Sequence, residues 1–532
     1  MLTLTLRRSS GVLAPAAASA VLAGLLVWLG PPGADLAAHA YQRALFLEHG
    51  FVLWNNFWYA GRYSFVTYSV LYYPLAAVFG IKVLAVLIVS GSVGAFTVAV
   101  RHEWGEHATW SIRAFAVVWA LLVVSAAYPF MLGSALALVA VCFLQRGRLW
   151  PFAGCSLLTL AASPIAFVLL VVLLVAVALA RRVERGALLA PALAIGAVGG
   201  LGLVLRRMFP AHGSFPFSVA EFVAAAAFCL IGIVLTWDVT RARLLRWTFI
   251  VYLAACTLAF VVASPIGENI ARLRFVAVPI AFLILSLRNW RPRPVCVLAL
   301  ALAVSWNVTP LAASFVRGVE DPDAHAAYWA PAIRFLHQHV PASYRVEAVD
   351  TAGHWPADFL ARARVPLVRG WFRQEDFPQN EVLYGQLGPA AYLKWLRQLS
   401  VRYVVLTSAR PDYSSKAESE LLRSGRSGLR AVFRTPAITI FSVPSPRPLV
   451  APPARVLRLG YTSLTVKIPA AGSYRLGVTY SPYWHTTSGC VRSSADGMTV
   501  LEADRPGVFT LRFAVTATRA LDAMVGRSST CS

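Results

Sequence analysis

The sequence predicts a polytopic α-helical membrane bundle of about eleven transmembrane helices, followed by an extracytoplasmic α/β region and a small β-sandwich. Of the 532 residues, 58% are hydrophobic and only 14% are charged, which is too apolar for a water-soluble protein of this size. Apolar runs recur up to about residue 316, and mixed polar and aromatic sequence follows. The bilayer is therefore the expected solvent of the first three-fifths of the chain.

The apolar runs give the helices. Several are shorter than the ~20 residues that a full crossing needs, so short buried hairpins are expected around Pro129 and Pro164. Pro164 fits the first position of a helix, and Ser218 with Glu221 has the spacing of a capping box. The predicted spans cover residues 11–30, 81–100, 114–128, 132–144, 149–162, 165–180, 187–205, 219–237, 248–263, 275–287 and 295–309.

Basic loops orient this bundle, because arginines are retained on the cytoplasmic side. With the N-terminus inside, the inner loops carry Arg7, Arg8, Arg101, Arg113, Arg146, Arg148, Arg181, Arg182, Arg185, Arg241, Arg243, Arg246, Arg288, Arg291 and Arg293. The outer loops carry fewer: Arg43, Arg62, Lys82, Arg206, Arg207, Arg272 and Arg274. An odd number of spans then places the C-terminal part outside. The net charge of +24 lies mainly in these short loops, which favours anionic membrane lipid over nucleic acid as partner.

The polar part of the chain divides in two. Residues 317–445 contain strand and helix patterns, for example at 403–407 and 389–399, and predict an α/β domain. Alternating segments at 464–468, 474–480 and 508–515 predict a β-sandwich over residues 446–532. The bundle is assigned to residues 1–316, with the outside loop 31–66 as its catalytic element.

Two cysteines, Cys490 and Cys531, fall outside the apolar runs. In an oxidising compartment they are expected to form a disulfide, although free thiols remain an alternative. The sequence has no cysteine cluster with metal-ligand spacing and no Gly-rich nucleotide-binding motif, so ATP-driven chemistry is not expected.

The first outside loop carries the most informative polar residues. Asp35, His39 and Arg62 lie there among aromatic residues that include Trp58. Each has a structural alternative: Asp35 suits a helix cap, His39 suits interior packing, and the aromatic residues at 54–63 suit an interfacial belt or a platform for sugar or lipid.

Two further stretches are predicted on the same side. The segment 264–274 (SPIGENIARLR) contains Glu268, Asn269 and Arg272, and arginine forks suit phosphate oxygens. Alternatively, the outer arginines contact lipid headgroups or pair with Glu221 and Glu268. The segment 369–380 (RGWFRQEDFPQN), with Arg369 and Arg373, suits either carbohydrate recognition or seating of the domain on the bundle.

An acidic residue just beyond the first span, followed by an aromatic-rich amphipathic loop, resembles the polytopic glycosyltransferases of the GT-C superfamily. The resemblance implies a bacterial plasma-membrane enzyme that moves a sugar, arabinose or mannose, from a polyprenyl-phosphate donor to an extracytoplasmic glycan or lipid acceptor. It implies Asp35 as the catalytic base. It also implies a divalent metal, Mg²⁺ or Mn²⁺, although Asp35 lacks the adjacent acid that many members have. The expected substrate-binding residues are His39, Trp58, Arg62, Glu268, Asn269, Arg272, Arg369 and Arg373.

The segments 264–274, 344–347, 369–380, 392–396 and 401–406 are similar to those of multi-pass GT-C-type proteins from actinobacteria. The segment 480–497, with SPYWH, is similar to the terminal domain of YfhO-type membrane glycosylation proteins, which implies carbohydrate binding by the sandwich. Two other functions remain open. A flippase for lipid-linked glycan would favour intramembrane charges, which are nearly lacking here, and a non-catalytic scaffold would use the C-terminal part to bind partners.

Overall fold

The computed structural model describes residues 2–181, 185–210, 213–319, 321–526 and 531, so Arg182 of the topology argument lies outside the described residues. The helices are α1 (Leu2–Leu29), α2 (Leu36–His49), α3 (Tyr72–Phe79), α4 (Ile81–Trp104), α5 (Thr109–Leu121), α6 (Tyr128–Gln145), α7 (Leu149–Ala162), α8 (Pro164–Arg181), α9 (Arg185–Met208), α10 (Val219–Thr236), α11 (Arg243–Val261), α12 (Ala277–Leu287), α13 (Arg293–Val319), α14 (Ala326–His339), α15 (Trp355–Arg362), α16 (Pro389–Gln398), α17 (Lys416–Arg423) and α18 (Ala517–Met524).

The strands are β1 (Trp54–Asn55), β2 (Arg62–Tyr63), β3 (Arg345–Ala348), β4 (Val401–Thr407), β5 (Arg430–Arg434), β6 (Ile438–Ser442), β7 (Arg455–Gly460), β8 (Ser463–Ile468), β9 (Gly472–Thr479), β10 (Trp484–His485), β11 (Cys490–Ser493), β12 (Met498–Ala503) and β13 (Gly507–Phe513).

The chain folds into two compact units. The membrane unit comprises Met1–Ala34, Tyr68–Leu203 and Ser214–Val319, and the C-terminal unit comprises Asp35–Thr67, Val204–Gly213 and Glu320–Ser532. The sequence assigns the loop 31–66 to the bundle, whereas the structure assigns most of it to the C-terminal unit. The reason is that its side chains pack into the core of that unit, as described below.

In the membrane unit, the described residues contain nine apolar helical segments long enough to cross a membrane. One of them, Ile81–Ser125, includes both α4 and α5, and α7 is a shorter apolar helix. Counted singly, these are eleven apolar helices within the described chain, and each coincides with a predicted run. The protein is therefore a multi-pass membrane protein.

The outward faces of these helices are apolar, as a lipid solvent requires. Val234, Leu258 and Val297 are 65–69% exposed, which is stable in a bilayer but would be a large apolar patch in water. Two helices begin at the residues that the sequence predicts. Helix α8 begins at Pro164, and the Ser218 hydroxyl accepts a hydrogen bond from the Glu221 amide at 3.3 Å, the predicted cap of α10.

The three segments of the C-terminal unit are separated along the sequence by helices of the membrane unit. Helices α4 to α9 follow the first segment, and the end of α9 belongs to the second; helices α10 to α13 separate the second segment from the third.

The α/β part of the C-terminal unit is built on a four-stranded sheet in the order β3, β4, β6, β5. Strands β3 and β4 are parallel, while β6 pairs antiparallel with both β4 and β5. Leu367 adds a parallel bridge to Val346 of β3. The residues that follow β3, β4 and Leu367 therefore emerge at the same edge of the sheet.

The β-sandwich is confirmed. Strands β10, β13, β8 and β7 form one antiparallel sheet and β11, β12 and β9 form the other, and side chains of both sheets share one core. Cys490 of β11 forms the predicted disulfide with Cys531. The two cysteines are 41 residues apart in the sequence. In the chain-entropy treatment, the disulfide lowers the entropy of the unfolded chain and so stabilises the folded state by roughly 3 to 4 kcal/mol.

Residues 54–63 of the first outside loop are buried between the sandwich and the α/β part. Trp54 stacks on Phe513 of the sandwich, with ring centroids 5.2 Å apart. The Asn56 amide donates to the Tyr461 carbonyl at 3.1 Å, and the Asn56 side chain donates to the Gly460 carbonyl at 2.8 Å. This side of the loop thus acts as part of the sandwich.

The other side of the loop binds the α/β part. The Trp58 indole N–H donates to the Ala357 carbonyl at 3.0 Å, and the Tyr59 hydroxyl donates to the Phe372 carbonyl at 2.7 Å. The Ala60 carbonyl accepts from the Thr479 amide at 2.9 Å, which completes a connection among all three parts of the unit.

These contacts overturn the prediction of an aromatic belt or exposed platform. Trp54, Phe57, Trp58, Tyr59 and Tyr63 are 0–6% exposed, so they are interior residues. The chain reverses through a left-handed turn at Tyr59, Ala60 and Gly61. Glycine is required at position 61, since a Cβ there would lie 2.7 Å from the Trp54 ring.

Candidate functional site

The residues that organise the candidate site lie on segment 369–376 (RGWFRQED), which we call the strap. It begins just after Leu367 and so leaves the carboxyl edge of the parallel strands, where α/β folds commonly place binding sites. Its side chains divide into two groups. Arg369, Arg373 and Asp376 bind the α/β part, while Trp371, Phe372 and Glu375 contact the first outside loop.

Arg369 anchors one end of the strap in the protein interior. Its guanidinium donates to both carboxylate oxygens of Asp376, at 3.3 and 3.1 Å, and to the hydroxyls of Ser415 and Ser414 at 2.7 and 2.9 Å. Arg369 and Asp376 are 3% and 0% exposed. A bidentate, buried pair of this kind fixes both partners in direction.

Arg373 anchors the middle of the strap. It donates to Asp350, which follows β3, at 2.5 Å, and lies 2.9 Å from Asp412, which follows β4. His354 completes the group through a 2.8 Å contact with Asp350. Burial alone would raise the pKa of Asp350, but the charges of His354 and Arg373 outweigh it and hold the pKa below its usual range.

These ion pairs bear on the prediction that Arg369 and Arg373 bind substrate. Each guanidinium is already bound to buried carboxylates, so the observed role is to hold the strap. The substrate-binding assignment of both residues stays a prediction.

The strap reaches Asp35 through Trp371. The indole N–H of Trp371 donates to Asp35 Oδ1 at 3.0 Å. Asp35 immediately precedes α2, yet among the residues that the structure describes its side chain makes no capping hydrogen bond to that helix. The alternative of a helix cap is therefore not what the structure contains.

His39 lies one turn further along α2 and is fully buried. Its ring is 5.8 Å from that of Trp371, centroid to centroid. Asp35 and Trp371, both partly exposed residues, and the buried His39 thus form one group.

Arg62 joins the same part of the loop to the strap. Its guanidinium lies 3.8 Å from the centre of the Phe372 ring, and it donates to Thr67 at 3.0 Å and to Glu375 at 3.5 Å. Trp58, in contrast, is fully buried against Tyr41 and leaves no exposed face for a substrate.

Close approach of the strap to the loop depends on Gly370. A Cβ at this position would lie 2.8 Å from the rings of both Trp58 and Tyr59. Since a side chain would push the strap away, glycine allows Trp371 to reach Asp35.

The remaining predicted residues belong to the membrane unit and are described separately. Glu268 accepts hydrogen bonds from the amide and hydroxyl of Ser218, at 3.3 and 2.9 Å, and so supports the start of α10. Asn269 accepts from Arg272 at 2.9 Å, and the Arg272 guanidinium lies 4.9 Å from the centre of the Phe130 ring. Within the described chain, the Arg272 Nη1 is buried without a hydrogen-bond partner.

A divalent metal needs several oxygen or nitrogen ligands at one place. Within the described ranges there is no group of three or more His, Cys, Asp or Glu residues that could hold an ion. Asp35, which the resemblance offers as a ligand, accepts an indole N–H at Oδ1. Metal dependence stays a prediction, and no step below is routed through a metal.

Several charged residues of the α/β part were not identified from the sequence. They are Asp350, His354, Asp412 and Glu418. The sequence pattern could have identified two of them. Asp350 and Asp412 follow the segments 344–347 and 401–406, which have the pattern of β-strands. In a parallel pair, polar residues after both strands meet at one edge.

Two solved structures are similar to the chain. One is the single-particle cryo-EM structure of arabinofuranosyltransferase AftD from mycobacteria, with a TM-score of 0.48 and 13% identity, covering 95% of this chain and 57% of that chain. The other is a mutant of AftD, with a TM-score of 0.44 and 17% identity, covering 81% and 41%. This chain thus spans little more than half of the AftD chain. No family model and no curated protein matches the sequence.

The α/β part also contains buried acids with unusual proton affinity. Burial and the neighbouring Asp321 raise the pKa of Asp323 to about 8. Burial raises the pKa of Glu418 to about 7, against the opposing effects of Arg369 and of a 2.6 Å hydrogen bond from Tyr392. Burial together with Glu418 raises the pKa of Glu347 well above its usual range.

The first prediction concerns the strap anchor. Arg369→Ala removes the bidentate cation from the buried Asp376 carboxylate, which keeps its hydrogen bonds from Asn380 and Tyr384 but only a 3.6 Å contact with Arg373. The free energy of unfolding of the C-terminal unit should therefore fall by about 3 kcal/mol, the lower end of the range for a broken buried pair. Urea-dependent pulse proteolysis of the full chain in detergent measures this change.

The matched control is Arg475→Ala, whose ion pair with Asp496 is 41% and 53% exposed, and its loss should be about 0 to 1 kcal/mol. Equal losses would contradict the anchoring role.

The second prediction concerns pH. The folded chain keeps protons on Asp323 and Glu418 up to about pH 8 and 7, whereas the unfolded chain releases them near pH 4. The stabilisation is complete below that value and is lost as pH rises through 7 and 8. The wild-type melting temperature should therefore fall between pH 5 and 9, and Asp323→Asn should flatten this dependence. Asp496→Asn is the control and should keep the wild-type slope. An unchanged slope for Asp323→Asn would refute the assignment.

Proposed function

We propose that this chain is a membrane glycosyltransferase that transfers a sugar from a polyprenyl-phosphate donor to an extracytoplasmic cell-envelope glycan or lipid acceptor. The observation that carries the proposal is Asp35, a partly exposed residue that follows the first apolar helix in the sequence and accepts a hydrogen bond from Trp371, whose ring lies beside His39. A multi-pass bundle suits a donor that is itself anchored in the bilayer.

The chemistry needs one proton acceptor. Asp35 takes the proton of the acceptor hydroxyl as that oxygen forms a bond to the anomeric carbon of the donor sugar. The bond from this carbon to the phosphate oxygen breaks, and polyprenyl phosphate leaves with the bonding electrons. A single displacement of this kind inverts the anomeric configuration.

Arg272 is the candidate ligand for the donor phosphate. Its buried Nη1, which has no hydrogen-bond partner in the part of the chain that the structure describes, supports this assignment. A guanidinium stabilises phosphate oxygens through charge-assisted hydrogen bonds. Glu268 and Asn269 would act by holding the segment that carries Arg272.

We place the C-terminal unit outside the cytoplasm of a bacterial plasma membrane. The excess of arginine in the opposite loops supports this orientation. The acceptor would then be an envelope component, and the β-sandwich is a candidate carbohydrate-binding part.

The third prediction tests the catalytic assignment. Asp35→Asn keeps the acceptor of the Trp371 hydrogen bond but removes the base, so single-turnover transfer should fall roughly 10²- to 10⁴-fold with little change in melting temperature. Arg272→Ala should instead weaken donor binding by about 1.5 to 3 kcal/mol. Both are measured with purified protein in lipid, using polyprenyl-phosphate arabinose and polyprenyl-phosphate mannose as donors.

The matched control is Asp321→Asn. Asp321 also accepts an indole N–H, from Trp355 at 2.9 Å, and this variant should transfer at the wild-type rate. Transfer by Asp35→Asn at the wild-type rate would sink the catalytic assignment and favour a non-catalytic scaffold.

A further inference from the structure

Trp371 joins the strap directly to Asp35. Its N–H donates to Oδ1 at 3.0 Å, and its ring packs 4.6 Å from that of Phe372 and 5.8 Å from that of His39. The indole therefore has contacts on the loop and on its own segment. Its N–H is held in a defined direction.

The strap is fixed on both sides of Trp371. Arg369, two residues before it, donates to the Ser414 and Ser415 hydroxyls, and Arg373, two residues after it, donates to the buried Asp350 carboxylate. Glycine at position 370 brings the backbone against the loop rings. The position of the Trp371 indole therefore depends on buried contacts within the α/β part, whose residues are distant from Asp35 in the sequence.

We propose that Trp371 is a positioning residue for the transfer reaction. Its N–H fixes the direction of the Asp35 carboxylate, so the base meets the acceptor hydroxyl in a reactive orientation, and the α/β part thereby controls catalysis by the first outside loop. This inference rests on the proposed function. Orientation of a reacting group contributes to the rate rather than to binding.

A double-mutant cycle tests the proposal. Single-turnover transfer and donor KM are measured for wild type, Trp371→Phe, Asp35→Ala and the double variant, all as full-length protein in lipid. Trp371→Phe keeps an aromatic ring but loses the N–H, and kcat should fall roughly 10- to 100-fold with donor KM unchanged. The double variant should be no slower than Asp35→Ala, because Trp371 acts through Asp35.

Two controls separate positioning from folding. Trp355→Phe removes a comparable indole hydrogen bond, from Trp355 to Asp321. This variant should leave transfer unchanged. Replacing Trp371 by 3-benzothienylalanine, which keeps the bicyclic shape without the N–H, should reproduce the slow transfer at the wild-type melting temperature.

The outcomes are distinct. Wild-type transfer by Trp371→Phe or by the benzothienyl variant would overturn the inference, as would additive losses in the cycle, which indicate a structural role. Any of these results, obtained while Asp35→Ala transfers far more slowly than wild type, leaves the proposed function standing. Absence of transfer by the wild-type chain with both donors would overturn the proposed function and this inference together.

Discussion

Burial of residues 54–63 within the C-terminal unit is the constraint on which the rest of the unit depends. This loop follows the first apolar helix, yet Trp54 belongs to the sandwich core while Trp58 and Tyr59 bind the α/β part. Large aromatic side chains bury 150 to 250 Å² each, so five of them make a major contribution to this core. Residues 54–63 are therefore a structural element of the unit. Asp35 belongs to the same outside loop, 31–66.

The strap makes this arrangement specific. Apolar packing of the loop would tolerate small shifts, but the buried contacts of Arg373 with Asp350 and of Arg369 with Ser414 and Ser415 do not, since a displaced guanidinium would lose its partners in a medium of low dielectric constant. These contacts fix the strap that carries Trp371, whose indole donates to Asp35. Under the proposed function, the stability of the unit and the reactivity of Asp35 are linked through this one eight-residue segment.

The sequence was sufficient for features set by local chemistry. Apolar length predicted the eleven apolar helices among the described residues, alternation predicted β8, β9 and β13, and the Ser218 cap and the Cys490–Cys531 disulfide also agree with the structure. These features depend on neighbouring residues or on the number of available thiols.

The packing of the loop was not predicted, because an aromatic-rich segment beside a membrane helix has the same composition as an interfacial belt. What distinguishes the two is contact with residues about 300 to 460 positions later, such as Ala357 and Phe513, and periodicity contains no information on such contacts. The same applies to Arg373, whose partners Asp350 and Asp412 lie 23 residues before it and 39 after it. The polar residues that follow each predicted strand would have identified Asp350 and Asp412 as candidates for this charged group.

Hydrogen exchange of residues 54–63, followed by mass spectrometry on the full chain in lipid, tests the central claim most directly. The Asn56 amide donates to the Tyr461 carbonyl and the Phe57 amide donates to the buried Asn55 side chain, so the account predicts that residues 54–63 exchange as slowly as β8 and β13 of the sandwich. Exchange as fast as that of the exposed turn at residues 423–426 would contradict it, because the loop would then be a surface element rather than part of the core.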